Sequence, residues 1–276
     1  MTSPNKATVR AITYLVLTAI GLLFLAPLVW MFLASLNGNA TLSVSMPHPL
    51  TLGNFRQVLT GQSTLKPLLN GLILSGGAGI VTIITATLAA YPLSRYQLRF
   101  KRSFLYIILF ATGLPITAIM VPVYEVFVQF NLLDSQTATA LFLAATTLPI
   151  AIWLMKNFMD GVPIGLEEAA WTDGASAMQA LRRIVVPLVL PGASVVGIFT
   201  FIAAWGNFFV PFILLTSQDK MPASVTIYQF FSQYGAVSYG PLAAYSIIFT
   251  VPVVVLYVLV QRTLGGAFNL AGATKG

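Results

Sequence analysis

Five charged side chains crowd into one short stretch: Glu167, Glu168, Asp173, Arg182 and Arg183, within the run GLEEAAWTDGASAMQALRRIVVPLVLP that starts at Gly165. The whole 276-residue chain holds only 14 Lys and Arg and 7 Asp and Glu. Adjacent carboxylates can act as general acid and base, but only beside a nucleophile, a metal or a positioned water. There is no cysteine and a single histidine, His48, which removes thiolate chemistry and any cluster of histidine ligands. No catalytic residue and no metal site is therefore assigned. The small residues Ala169, Ala170 and Gly174 are interleaved with the acids. They leave room for another surface to approach closely, so the pattern points to docking rather than turnover.

The elements that position this stretch follow from composition. Hydrophobic residues make up 57% of the chain and charged residues 8%, with a mean hydropathy of +0.87. A soluble domain carries roughly 25% charged residues and cannot hide so much apolar surface. The expected class is an all-α integral membrane protein, because the apolar runs are continuous rather than alternating. Six spans are predicted, near Ala11–Leu36, Asn70–Pro92, Phe104–Val128, Thr137–Met155, Leu188–Leu215 and Pro241–Val260. The first is too long for a removable signal peptide.

Six spans place both termini on one side. With them lie Lys6, Arg10, Arg95, Arg99, Lys101, Arg102, Lys156, Arg182, Arg183, Arg262 and Lys275, against Arg56, Lys66 and Lys220 opposite. The positive-inside bias then makes the termini and the opening stretch cytoplasmic. It also accounts for the net charge of +7 without a nucleic-acid partner. The chain divides into a cytoplasmic N-terminus (1–10), a six-span domain (11–260) with a cytoplasmic loop (156–187), and a C-terminal tail (261–276). On the outer side, Asn54-Phe55-Arg56 reads as a turn. The aromatics of 217–240 form either an interfacial belt or a docking surface.

The loop reads as helix, turn, helix. Pro163 suits a first turn, and Glu167 and Glu168 sit where a helix N-terminus favours negative charge. Gly174 supplies a left-handed stop to a helix over Ile164–Asp173. Ser176 caps a second helix with Met178, Leu181 and Ile184 on one face, which Pro187 ends. Leu166 and Trp171 are apolar anchors on the first helix. The competing reading is an amphipathic hairpin lying on lipid, which the acidic groups argue against.

Glu168-Ala169-Ala170, three residues, Gly174, nine residues, Ile184, one residue, Val186-Pro187 resembles the "EAA" loop, EAA-x3-G-x9-I-x-L-P, of the membrane subunits of ABC importers. Only Val186 departs, replacing Leu. LAAYPLSRYQLRFKR (88–102), MVPVYEVFVQFNLLDS (120–135), FTFIAAWGNFFVPFILL (199–215) and AGATKG (271–276) resemble further segments of the carbohydrate, maltose-type permeases, although Asn131 stands where those have Gly. The resemblance implies a type I ABC importer permease fold. It also implies that Glu168, Ala169, Ala170 and Gly174 dock a coupling helix onto a separate ATPase, braced by Ile184 and Pro187. Thr274 and Lys275 in the tail are a further candidate contact with that ATPase.

The chain has no G-x-x-x-x-G-K-[ST] loop and no Gly-Lys dipeptide, so hydrolysis falls to a partner that binds ATP and Mg. This chain itself is expected to hold no cofactor and to be no enzyme. The implied partners are an ATPase dimer, a second and different permease, an extracytoplasmic sugar-binding protein, the sugar and membrane lipid. Polar groups within spans mark candidate path residues, namely Glu125, Trp205, Asn207 and Phe208, with helix–helix glue as the alternative. Asn70, Gln129, Phe209, Thr82, Thr85, Thr112 and Thr117 are weaker ones. A channel or secondary transporter would carry a filter or a buried ion-pair relay, and would not need this loop. A permease for amino acids, peptides or another small solute remains the alternative to sugar.

Overall fold

The computed structural model describes residues 6–60, 62–231 and 237–272. The described residues are almost wholly helical, with five helices long and apolar enough to cross a membrane and a sixth candidate formed by a bent pair. In order these are α1 (Lys6–Ser35), α2 (Gly53–Thr60), α3 (Gln62–Arg95), α4 (Lys101–Ala111), α5 (Ile116–Gln129), α6 (Gln136–Asp160) and α7 (Gly165–Thr172). There follow α8 (Ala177–Ala180), a π turn (Leu181–Val185), α9 (Val186–Trp205), α10 (Phe209–Leu214), α11 (Ala223–Thr226) and α12 (Tyr239–Gly272).

Two compact units emerge, the first from residues 1–64 and 227–251, the second from 65–226 and 252–276. The first holds α1, α2 and the start of α12. Its loop after α1 folds on Asn37, whose Oδ1 accepts from the backbone N–H of Asn39 (3.0 Å) and of His48 (3.2 Å). Asn54 donates to the carbonyls of Ser35 and Asn37, both at 3.0 Å. Asn54-Phe55-Arg56 is therefore part of helix α2 and not a turn. Gly240 fits against the Asn54 amide, where a Cβ would stand 2.6 Å from its Nδ2.

The second unit is a bundle in which α6 packs along α9. One apolar cluster joins Ala86, Ala90, Tyr91 and Leu93 of α3 to Ile152, Met155 and Met159 of α6 and to Leu181, Val185 and Val189. A second cluster towards the other end of α6 joins Met120 and Phe127 of α5, Leu143 of α6, and Val210 and Leu214 of α10. The close approach of α6 and α9 depends on Gly192, where a Cβ would lie 2.3 Å from Cγ of Phe158.

Three boundaries differ from those expected. The third span, Phe104–Val128, is not continuous: α4 and α5 meet at 95°. Gly113 follows the α4 C-cap, and Pro115, extended at ψ 131°, lacks the N–H to continue a helix. The fifth span stops at Trp205, and α10 forms a separate short helix beyond Gly206. Pro187 does not end the second loop helix. Ala177–Trp205 runs on as one span, with Pro187 in the first turn of α9 directly after the π turn. The Val186 N–H reaches back five residues to the Leu181 carbonyl, and this widened turn takes in the proline ring. The face that packs is consequently Ala180, Leu181 and Val185, whereas Met178 is exposed and Ile184 half-buried.

Candidate functional site

The charged stretch forms one end of the second unit. Helix α7 stops at Asp173, and Gly174 takes φ +86°, the left-handed conformation that glycine adopts without strain. The N–H of Ala175 bonds the Ala170 carbonyl (2.9 Å) and that of Gly174 the Trp171 carbonyl (3.0 Å), a Schellman pair that satisfies the last turn. Ser176 then caps α8 reciprocally with Gln179, giving a rigid corner.

The two adjacent glutamates point opposite ways. Glu167 is fully buried; its Oε2 accepts from the Tyr91 hydroxyl at 2.8 Å and its Oε1 pairs with Nε of Arg95. The Arg95 guanidinium also donates to the Val162 carbonyl (3.1 Å) and to Oγ of Ser94 (3.2 Å). Ser94 donates in turn to Asp160 (2.7 Å), which pairs with Lys156. The last turn of α3 is thereby tied to the end of α6 and to the buried side of α7. Breaking a buried pair by removing one partner costs about 3–5 kcal/mol, because the other charge stays uncompensated.

Glu168 is exposed, as are Leu166, Ala169 and Trp171, while Ala170 is half-buried. With Gly174 also exposed, the outward face of α7 is a low apolar surface carrying one carboxylate. Ile184 sits half-buried in the π turn and Pro187 is exposed at the start of α9. Leu181 and Val185 of the same turn are buried and cluster with Met159 and Val162. Thr274 and Lys275 lie outside the described residues.

The opposite end of this unit has its own polar cap. Asp134, at φ +60°, accepts from the N–H groups of Thr216 (3.0 Å) and Ser217 (2.9 Å), the Ser217 hydroxyl (2.6 Å) and Nζ of Lys220 (2.8 Å). The Lys220 and Ser217 bonds hold the Asp134 carboxyl well below the usual carboxylate range. Its contribution is thus complete above the ordinary aspartate pKa near 4 and is lost only as pH falls through the depressed value. Asp134→Asn is expected to lower the melting temperature in detergent by the same amount at pH 7 and pH 5. A difference already shrinking at pH 5 would contradict this. Asn70, buried, donates to the Asp219 (2.9 Å) and Met221 (3.1 Å) carbonyls and so ties down the same loop.

The path candidates are spread out. Trp205 is buried, stacked on Phe201 at 5.7 Å and seated on Gly71, where a Cβ would come within 2.9 Å of its ring. Asn207 accepts the N–H of Val210 through Oδ1 (3.0 Å), and Phe208 stacks on Phe212 at 4.9 Å. Glu125 is exposed on α5 and has no ion-pair partner among the described residues. Thr82 bonds across to Thr147 at 3.4 Å, as helix–helix glue. Thr85 and Thr112 bond back to their own helices.

Residues 80–264 match the family model of the binding-protein-dependent transport system inner membrane component. The chain belongs to this family. The matched region contains the whole α7 site and the four path candidates. The permease is 31% identical to the sulfoquinovosyl glycerol transport system permease protein SmoH of Agrobacterium fabrum, over 91% of its own length and 89% of that relative. It is 28% identical to the trehalose transport system permease protein SugB of Mycobacterium tuberculosis, over 91% and 93% of the two chains. Its fold matches a chain of a bacterial ABC transporter involved in the import of alginate, with TM-score 0.81 and 21% identity across 95% of this permease and 98% of that chain. The six-residue loop pattern thus marked the right family, and the permease is a multi-pass inner membrane component. Sequence reasoning missed the inward role of Glu167. The available signal was the helical offset of about 100° between neighbours, which sends two adjacent side chains to different faces.

Proposed function

We propose that this permease forms half of the translocation path of an ATP-driven importer for a sugar, delivered by an extracytoplasmic solute-binding protein. The observation that carries the coupling is the outward face of α7: Glu168, Ala169, Ala170 and Trp171 on a helix closed at its C-terminus by the Gly174 turn, with Glu168, Ala169 and Trp171 left exposed by the described residues. An ATPase dimer, which holds ATP and Mg, docks there, on the cytoplasmic side together with both termini. A second, different permease completes the path. Sugar as the substrate class is supported by relatives that carry sulfoquinovosyl glycerol, trehalose, diacetylchitobiose and galactooligosaccharides.

The test is uptake into liposomes holding the complex purified from its native membrane with its own binding protein. Labelled di- and oligosaccharides are offered against amino acids and dipeptides. Sugar uptake that requires ATP supports the reading; uptake of an amino acid or peptide alone refutes it. Within the path, Glu125 and the Asn207–Phe208 turn contact the passing solute. Glu125→Ala is expected to cut uptake about tenfold, the worth of one hydrogen-bonding group, while basal ATP hydrolysis stays unchanged. Unaltered uptake kinetics would remove Glu125 from the path.

A further inference from the structure

Glu167 lies outside the six-residue docking pattern, and α7 presents it away from the docking face. Its burial is complete, Arg95 is 5% exposed in its side chain, and both residues are fully engaged: Glu167 by Tyr91 and Arg95, Arg95 by Glu167, Val162 and Ser94. All three partners of the α7 carboxylate network on the membrane side, Tyr91, Ser94 and Arg95, belong to the last turns of α3. Arg95 meanwhile holds the Val162 carbonyl, just ahead of α7. A loop that needed only to stay folded could rest on the apolar contacts of Leu181, Val185, Met159 and Val162. Fixing orientation is what directional, charge-assisted hydrogen bonds add to apolar packing: one Glu167 oxygen takes Nε of Arg95 and the other the Tyr91 hydroxyl, while the remaining guanidinium nitrogens hold Ser94 and the Val162 carbonyl.

We infer that Glu167, Arg95 and Tyr91 are positioning residues that clamp the docking helix α7 to α3, so that the two move as one body when the ATPase closes. This rests on the reading of α7 as the ATPase-docking helix. Force applied at Glu168 and Trp171 enters α3 through the carboxylate one residue away. Helix α3 carries it along the bundle to Gly71, against which Trp205 is seated, next to the Asn207–Phe208 turn. Without the clamp, α7 still binds the ATPase but turns on its apolar bed.

The chain has no cysteine, so spin labels can be placed at Leu88→Cys on the exposed side of α3 and Thr172→Cys at the end of α7. The complex is purified from native membrane with its ATPase. The label–label distance distribution is then measured without nucleotide and with a non-hydrolysable ATP analogue. The expected distribution is narrow and shifts by less than about 2 Å between the states, within the range of small helix shifts. In Glu167→Gln the ATPase is expected to co-purify in normal amount, while the distribution broadens at least about twofold and shifts with nucleotide. Tyr91→Phe, which removes one hydroxyl and no charge, is expected to give a smaller broadening, and it serves where Glu167→Gln does not insert. A narrow, nucleotide-insensitive distribution in Tyr91→Phe and Glu167→Gln overturns the inference, as does a large nucleotide-driven shift in the unsubstituted complex. Failure of the docking reading itself shows separately, as an ATPase still bound to Glu168→Lys.

Discussion

Glu168→Lys is expected to strip the ATPase from this permease while leaving the chain folded and inserted. Glu168 is exposed, and no ion pair among the described residues uses it, so its reversal removes no ion pair from the described bundle. At the centre of a docking face the same change places a cation where the partner expects an anion. Reversals of this kind weaken binding by about 100-fold or more. Gly174→Pro should reach the same end by another route. Proline is fixed near φ −65° and cannot take the observed +86°, so the Schellman closure of α7 is lost and the face is no longer presented. The check is the amount of ATPase recovered with the tagged permease from detergent extract, alongside its size-exclusion profile. Normal ATPase recovery in both variants refutes the docking assignment.

The second large effect concerns the bundle. Gly192→Val should prevent close packing of α6 on α9, because the new Cβ would meet Cβ, Cγ and Cδ2 of Phe158 at 2.3–2.7 Å. Those atoms are the base of the side chain, which cannot swing away as a flexible tip could. Overpacking typically costs about 1–3 kcal/mol, which for a chain of this size lowers the melting temperature by about 2–12 °C. Gly76→Ala is the matched control. Nothing lies within 4 Å of its Cβ position, and alanine favours the helix over glycine by about 0.5–1 kcal/mol. A thermal shift assay should show Gly192→Val falling and Gly76→Ala level or higher. Equal melting temperatures would mean that the α6–α9 approach is looser than described.

The corner of the loop was readable from local chemistry. Gly174 as a left-handed stop and Ser176 as a cap are properties of single residues and near neighbours, and both are realised. The spans were readable from length and apolarity alone. The breaks within them were harder, because apolarity is blind to backbone: Gly113 and Pro115 carried the signal for the 95° bend, in a run long and apolar enough to read as one span. Pro187 misled in the opposite sense, since a π turn ahead of a proline depends on how the flanking turns pack. The helical offset says that Glu167 and Glu168 face apart, but not which of them turns inward. Choosing Glu167 over Glu168 requires knowing that Tyr91 and Arg95, more than 70 positions earlier, end their helix beside it. The Asp134 cap likewise joins residues 83 positions apart in sequence.

The proposed coupling of this permease through α7 to a separate ATPase makes one prediction above the others. It is tested most directly by purifying the tagged chain from its native membrane in mild detergent and identifying what comes with it. The expected result is an ATPase, a second permease and, when binding protein is added with sugar, that protein too. Cysteines placed at Ala169 or Trp171 are expected to crosslink to the ATPase and not to another membrane chain. A chain recovered only as a homo-oligomer, with those positions crosslinking to itself or remaining free, would contradict the coupling.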